Sequence, residues 1–205
     1  MAGRFRTVLL FGAPGVGKGT QGKLLGAIPG FVHMASGDIF RSLDPRSELG
    51  RKCHQYSSQG LLVPDEVTIA VWQAHAKSRI EKETYRPEVD LLVLDGIPRN
   101  VAQAEALEQH LTVLAIVHLK APDVDGMVAR LKSRAAKEGR QDDTDETVIR
   151  RRFKVYEDET SPVLGHYDAA LISEIDAIGP PAAVLLRILE TVAGIYTVHF
   201  HNPLG

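Results

Sequence analysis

Short apolar runs punctuate the chain at residues 8–11, 91–94, 113–119 and 169–175, each rich in Val, Leu and Ile, with longer stretches of helical periodicity between them. Such continuous, non-alternating runs predict strands buried on both faces, and that is the environment of a parallel sheet whose crossover helices cover each side. A shorter fifth strand is predicted at 31–34. Helical patterns follow at 18–27, 66–83, 101–110, 124–136, 147–160 and 182–193, several opened by Pro, Asp or Asn. Two stretches break the alternation. Residues 38–64 carry two short helical patterns and read as an inserted flap. Residues 135–144 are charged and small, with Gly139 as a turn or hinge, and read as a mobile loop. Both fall beyond the carboxyl ends of strands, where open α/β sheets bind ligands.

Composition narrows the picture without changing it. With 205 residues and 44% hydrophobic content the chain can bury one substantial core, so residues 1–205 are expected to form a single domain. A formal charge of -2 provides no basic field for nucleic acid or an anionic membrane, so neither is an expected partner. The single cysteine, Cys53, rules out an intrachain disulfide and a cysteine-rich zinc site. That fits a reducing compartment and a cytoplasmic location. No stretch approaches the roughly 18 apolar residues of a spanning helix, and residues 1–6 are too short and polar for a secretory leader.

The most specific local signal is Gly12-Ala13-Pro14-Gly15-Val16-Gly17-Lys18-Gly19-Thr20, placed between a predicted strand and a predicted helix. Glycines let backbone N–H groups turn inward around phosphate oxygens, the helix N-terminus adds a favourable dipole, and Lys18 supplies a point charge to the β- and γ-phosphates. Gly19 occupies the position where the general phosphate-loop pattern has a hydroxyl, and Thr20 comes one residue later. Direct hydroxyl ligation of magnesium is therefore not expected.

This loop form resembles that of the nucleoside monophosphate kinases. The resemblance extends through Ala35-Ser36-Gly37-Asp38-Ile39-Phe40-Arg41, Gly60-Leu61-Leu62-Val63-Pro64-Asp65-Glu66 and Asp95-Gly96-Ile97-Pro98-Arg99-Asn100-Val101-Ala102-Gln103. These blocks look like those of the adenylate kinases in the same order, over nearly the whole chain. The resemblance implies a P-loop NTPase fold: a five-stranded parallel sheet flanked by helices, with a monophosphate-binding flap at about 36–65 and a short lid at about 135–144. It also implies ATP and AMP as substrates and Mg2+ carried as MgATP, held largely through waters and phosphate oxygens. Asp38 and Asp95 are the candidates for orienting those waters, although Asp38 would serve equally as a helix cap.

A second phosphate needs its own cations, and Arg41 and Arg99 offer planar bidentate donors for a monophosphate. Gln103, one turn beyond Arg99, carries both a donor and an acceptor suited to an adenine edge. Ser36 stands where adenylate kinases generally have Thr, Ile97 replaces the usual Phe, and Leu62 and Val63 are expected to line the base pocket beside Gly96. In the lid, Arg130 and Arg134 share one helix face. By resemblance Arg130 lies over the ATP adenine, Arg134 touches phosphates, and Arg140 swings onto the phosphoryl group. Asp142 and Asp143 either hinge or pin that segment or complement the positive N-terminus of the following helix. The four-residue spacing to Tyr156 selects Arg152 as the next catalytic cation, whereas counting forward from Asp142 selects Arg151.

Only a few residues separate Arg134 from Arg140, so a long, zinc-bearing lid is not expected. The segment Asp176-Ala177-Ile178-Gly179 occupies the place of a family loop that meets the ATP adenine through its backbone, with Ala177 where Gly is usual. The tail from residue 195, with His199 and His201, has no counterpart in the resemblance. The expected activity is reversible phosphoryl transfer from MgATP to AMP by a monomer. A uridylate-cytidylate kinase sharing the phosphate contacts is the nearest alternative, and a catalytically silent nucleotide-binding protein is the alternative of a different class.

Overall fold

The apolar runs form five strands, β1 (Phe5–Phe11), β2 (Phe31–Ala35), β3 (Leu91–Asp95), β4 (Leu111–Lys120) and β5 (Ile172–Asp176), in a computed structural model that describes residues 4–140 and 143–199. They pair in parallel in the order β2-β3-β1-β4-β5. Both faces are covered because alternate residues of β1 feed two cores. Val8 and Leu10 point to one, Leu9 and Phe11 to the other.

Eight α-helices are described: α1 (Lys18–Leu25), α2 (Ser36–Ser42), α3 (Glu48–Ser57), α4 (Asp65–Glu81), α5 (Val101–Leu107), α6 (Val124–Glu138), α7 (Glu146–Val155) and α8 (Pro181–His199). The first core takes Leu25 of α1, Leu131 of α6, Phe153 of α7 and Ile188 of α8. The second takes Ile39 of α2, Trp72 of α4 and Leu107 of α5. The strand order reverses at β1, which sits between β3 and β4, so the loop after β1 opens at the topological switch point of the sheet.

Three of the boundaries that differ from the sequence reading have a clear local cause. The expected strand at 169–175 begins only at Ile172, which aligns with Ile116 of β4; Ala169–Leu171 form a 3-10 turn in which the Asp168 side chain accepts from the Ala170 N–H at 2.9 Å. The expected helix at 147–160 ends as an α-helix at Val155 and widens into a π-turn at Tyr156–Thr160. Pro162, just beyond, lacks the N–H that a continuing helix needs and disfavours helical geometry before it. In the segment 135–144, α6 runs on to Glu138 and stops at Gly139, whose left-handed φ of 65° is the usual glycine C-cap. The loop is therefore shorter than the periodicity suggested.

The flap stretch does hold two helices, α2 and α3. At the other end, α8 continues past residue 195 far enough for Tyr196 to stack on Phe31, ring centroids 5.0 Å apart. His201 lies outside the described residues.

Candidate active site

A cleft of about 1480 Å³ opens at the carboxyl ends of the strands, lined by the glycine loop, by α2, α3 and the 60–63 segment, by Arg99 and by the arginines of α6 and α7. A single drug-sized ligand needs roughly 300–1,000 Å³. The cleft has room for two nucleotides.

Its floor is built by backbone geometry that only glycine adopts without strain. Gly12 (φ 143°), Gly15 (φ 80°) and Gly17 (φ 115°) turn the loop, and a Cβ on Gly12 would lie 2.5 Å from the Leu119 carbonyl oxygen. Gly17 then caps α1. Val16 packs into the first core and also borders the cleft, which Lys18, Gly19 and Thr20 line beside it. The Lys18 ammonium donates to the carbonyls of Gly12 (2.6 Å) and Ala13 (3.2 Å). Burial pulls its pKa down to about 8; Asp95 opposes this, while the positive fields of Arg99, Arg152 and Arg134 push the same way. Lys18 therefore sits in the positive field of three arginines, with Asp95 opposing them.

The Arg99 guanidinium is held by Nε donating to the Gly96 carbonyl at 2.7 Å and by Nη2 lying 3.5 Å from Ser36 Oγ. Its backbone is fixed as well: Thr160 Oγ1 donates to the Arg99 carbonyl at 2.8 Å and Gln103 Oε1 accepts the Arg99 N–H at 2.8 Å. Gly96 has φ 75°, and a Cβ there would meet Ser36 Oγ at 2.7 Å. Ser36 donates to the Gly96 carbonyl at 2.7 Å.

Not every expected contact faces the cleft. Gly96, Arg41, Leu62 and Val63 line it, but Ser36 and Gln103 are 2% and 1% exposed and lie behind the wall. The Gln103 amide donates to Asp65 Oδ1 at 2.7 Å, an oxygen that also accepts from Asn100 Nδ2 at 2.9 Å. Sequence reading missed this network, because Asp65 and Gln103 are 38 residues apart and nothing in either motif announces the pairing.

Arg41 donates to Asp38 Oδ1 at 2.5 Å, and Arg140 reaches the same oxygen at 3.7 Å while its Nε donates to Glu138 at 2.7 Å. Burial raises the Asp38 carboxyl, but the Arg41 hydrogen bond and the charges of Arg41, Lys23 and Arg140 outweigh it and hold the group below the usual carboxylate range. On the lid side, Arg134 and Arg152 both bond to the fully buried Asp143. Arg151 instead turns toward the flap, donating to the Gln59 carbonyl at 3.2 Å in an exposed position. Arg130 is exposed along the same cleft. Asp142 lies outside the described residues.

Ala177 and Gly179 also line the cleft. Gly179 carries the left-handed conformation (φ 119°) and Ala177 does not, so Ala at 177 imposes no backbone strain. A second unforeseen pair joins the sheet to the π-turn that follows α7: His118 Nε2 lies 3.1 Å from the Tyr156 hydroxyl. Burial, helped by Lys120 and Lys18 against Glu174, lowers the His118 pKa, and burial pushes Tyr156 up to about 12. Both groups are neutral near pH 7.

A glycine cradle at the switch point of a parallel sheet, faced by a lysine and converging arginines, defines a P-loop protein built to handle phosphoryl groups. The comparisons narrow the class. The adenylate kinase family model matches residues 10–172. The adenylate kinase of Thermobifida fusca is 38% identical over 191 residues, covering 90% of this chain and 97% of that protein. The adenylate kinase of Kocuria rhizophila gives the same figures, and that of Thermus thermophilus is 35% identical over 190 residues, covering 89% and 95%. The chain belongs to the adenylate kinase family.

Proposed function

We propose that this chain catalyses reversible transfer of the γ-phosphoryl group of MgATP to AMP, giving two ADP, by direct in-line displacement. The observation that carries the reading is the convergence of Arg99, Arg134 and Arg152, with Asp95, on Lys18 in a cleft large enough for two nucleotides. The in-flight phosphoryl group spreads negative charge over its equatorial oxygens, and fixed cations in a water-poor site stabilise that charge more than they stabilise the ground state.

Backbone N–H groups of Gly15 to Thr20 and the Lys18 ammonium hold the donor phosphates. Arg99 and Arg41 hold the acceptor phosphate, and Gly96, Leu62 and Val63 shape its base pocket. Ser36 and Gln103 act behind the wall, Ser36 by fixing Gly96 and Arg99 and Gln103 by fixing the Arg99 backbone. Arg134, Arg152 and Arg140 bear on the transferring group, while Arg130 and Gly179 bound the ATP base.

Magnesium enters as part of the substrate. Among the described residues no group of three or more His, Cys, Asp or Glu could ligate a metal ion. Asp95, 7% exposed and beside Gly19, fits a role in orienting metal-bound waters, and Asp38 fits the same role at the flap. The ion supplies charge neutralisation of the β- and γ-oxygens.

Mixing enzyme, MgATP and AMP should yield two ADP for each ATP consumed, with no radiolabel left on the denatured chain after incubation with γ-labelled ATP. ATP binding without ADP formation would favour a silent nucleotide-binding protein, and retained label would replace direct transfer with a phosphoenzyme.

A further inference from the structure

The loop between β5 and α8 is pinned at four points. The Ala177 N–H donates to the Lys120 carbonyl at 2.8 Å, the Ile178 N–H to Asp176 Oδ1 at 2.9 Å, and Gln21 Nε2 to the Pro181 carbonyl at 3.0 Å. The fourth is a side chain from the second turn of α8: Arg187 Nη1 donates to the carbonyls of both Asp176 (2.8 Å) and Ile178 (3.0 Å). Between these anchors, the Gly179 N–H and C=O have no intramolecular hydrogen bond among the described residues, and a Cβ built on Gly179 would meet nothing within 4 Å. Gly179 and Ala177 face the cleft; Ile178 is 50% exposed.

We infer that Arg187 is a positioning residue for recognition of the donor base, holding the Asp176 and Ile178 carbonyls so that the Gly179 N–H, which shares its peptide plane with the Ile178 carbonyl, is presented in one orientation. The inference rests on the proposed assignment of this loop to the ATP base. A peptide N–H beside a C=O matches the N1 acceptor and N6 donor of adenine. Guanine carries the reverse order, O6 acceptor and N1 donor, so a fixed peptide discriminates and a rotating one does not. By holding two carbonyls with one charge-assisted donor, Arg187 removes the rotations that would present the reverse order. It does not reach the phosphates, so its effect is confined to the base end of the donor.

The test uses Arg187→Met, which keeps bulk and removes the donor, Arg187→Lys, and Gly179→Val, which alters the loop itself. Steady-state kinetics with ATP or GTP as donor and AMP as acceptor give kcat and KM for each. Arg187→Met should raise KM for ATP about tenfold and cut the ATP-over-GTP ratio of kcat/KM about tenfold, the scale of one charge-assisted hydrogen bond. Its kcat and its KM for AMP should stay within about twofold, with Arg187→Lys restoring part of the ratio. An unchanged ATP/GTP ratio in Arg187→Met, while Gly179→Val raises KM for ATP, overturns the role of Arg187 and leaves the base assignment standing. If neither variant moves KM for ATP, the base assignment itself fails.

Discussion

Asp143 and Arg152 form a direct ion pair in the lid half of the cleft: Asp143 Oδ1 accepts from Arg152 Nη1 at 2.5 Å, while Oδ2 takes Arg134 Nε and Nη2 at 2.8 and 2.6 Å. Asp143 is 0% exposed, so this carboxylate fixes two guanidiniums from separate helices in one place before any phosphate arrives. The cost of bringing the two arginines together is offset by the buried anion between them.

Asp143→Asn should therefore act on stability and on chemistry together. An amide keeps one acceptor but turns N–H donors toward an arginine, so unfolding free energy should fall by about 3 kcal/mol. The reaction needs both cations placed at once, so kcat should drop at least about tenfold with KM for either nucleotide little changed. Thermal melts and steady-state kinetics on one preparation read both; wild-type kcat in a destabilised variant would show that the ion pair is structural only.

The same geometry separates two neighbours that counting along the sequence could not. Arg152→Ala removes a cation that lines the cleft and should cost about 100- to 1,000-fold in kcat/KM. Arg151→Ala removes an exposed contact to the Gln59 carbonyl and should cost no more than about threefold. Losses of equal size would mean that α7 does not present a single catalytic face.

What sequence could and could not reveal follows from the range of the interactions. The glycine loop was legible because strand, turn and helix start lie within sixteen consecutive residues, and their chemistry is local. The sheet was legible because burial on both faces leaves an unbroken apolar run, as in the fully buried Leu91–Asp95. The π-turn at Tyr156–Thr160 was not, because the apolar spacing of a helix persists through it and only the backbone ahead of Pro162 changes. The Gln103–Asp65, Thr160–Arg99 and His118–Tyr156 contacts span 38, 61 and 38 residues. A motif names the residue there and leaves its partner unnamed, as with Gln103, whose amide donates to Asp65.

Lys18 makes donor binding pH-dependent. With a pKa of about 8 in the free chain, half of the ammonium groups are neutral at that pH, and a bound triphosphate restores the charge. ATP binding should take up about half a proton near pH 8 and almost none near ~pH 6, where Lys18 is already charged. Calorimetric titration in two buffers of different ionisation enthalpy measures the uptake, and buffer-independent heats at pH 8 would contradict it. Folding obeys the same linkage. Between about 8 and 10.5 the unfolded lysine holds a proton that the folded one has lost, so this group makes the free chain more stable as pH rises through that window.

Gly22→Ala tests how α1 docks on β2. Alanine raises helix propensity by about 1 kcal/mol, but its Cβ would lie 2.2 Å from His33 Nε2. His33 is itself confined, with its side chain 9% exposed and Nε2 3.8 Å from Asp95 Oδ2. The clash should win, lowering stability by about 1–3 kcal/mol in a chemical denaturation series. A stabilised variant would mean that the His33 ring moves freely.

The central claim concerns which acceptor the cleft serves, since Arg41 and Arg99 suit any monophosphate. The most direct measurement is a coupled assay of kcat/KM for AMP, CMP and UMP at equal concentration with MgATP as donor. The account predicts that AMP exceeds both pyrimidine nucleotides by at least about tenfold; a higher value for CMP or UMP would contradict it.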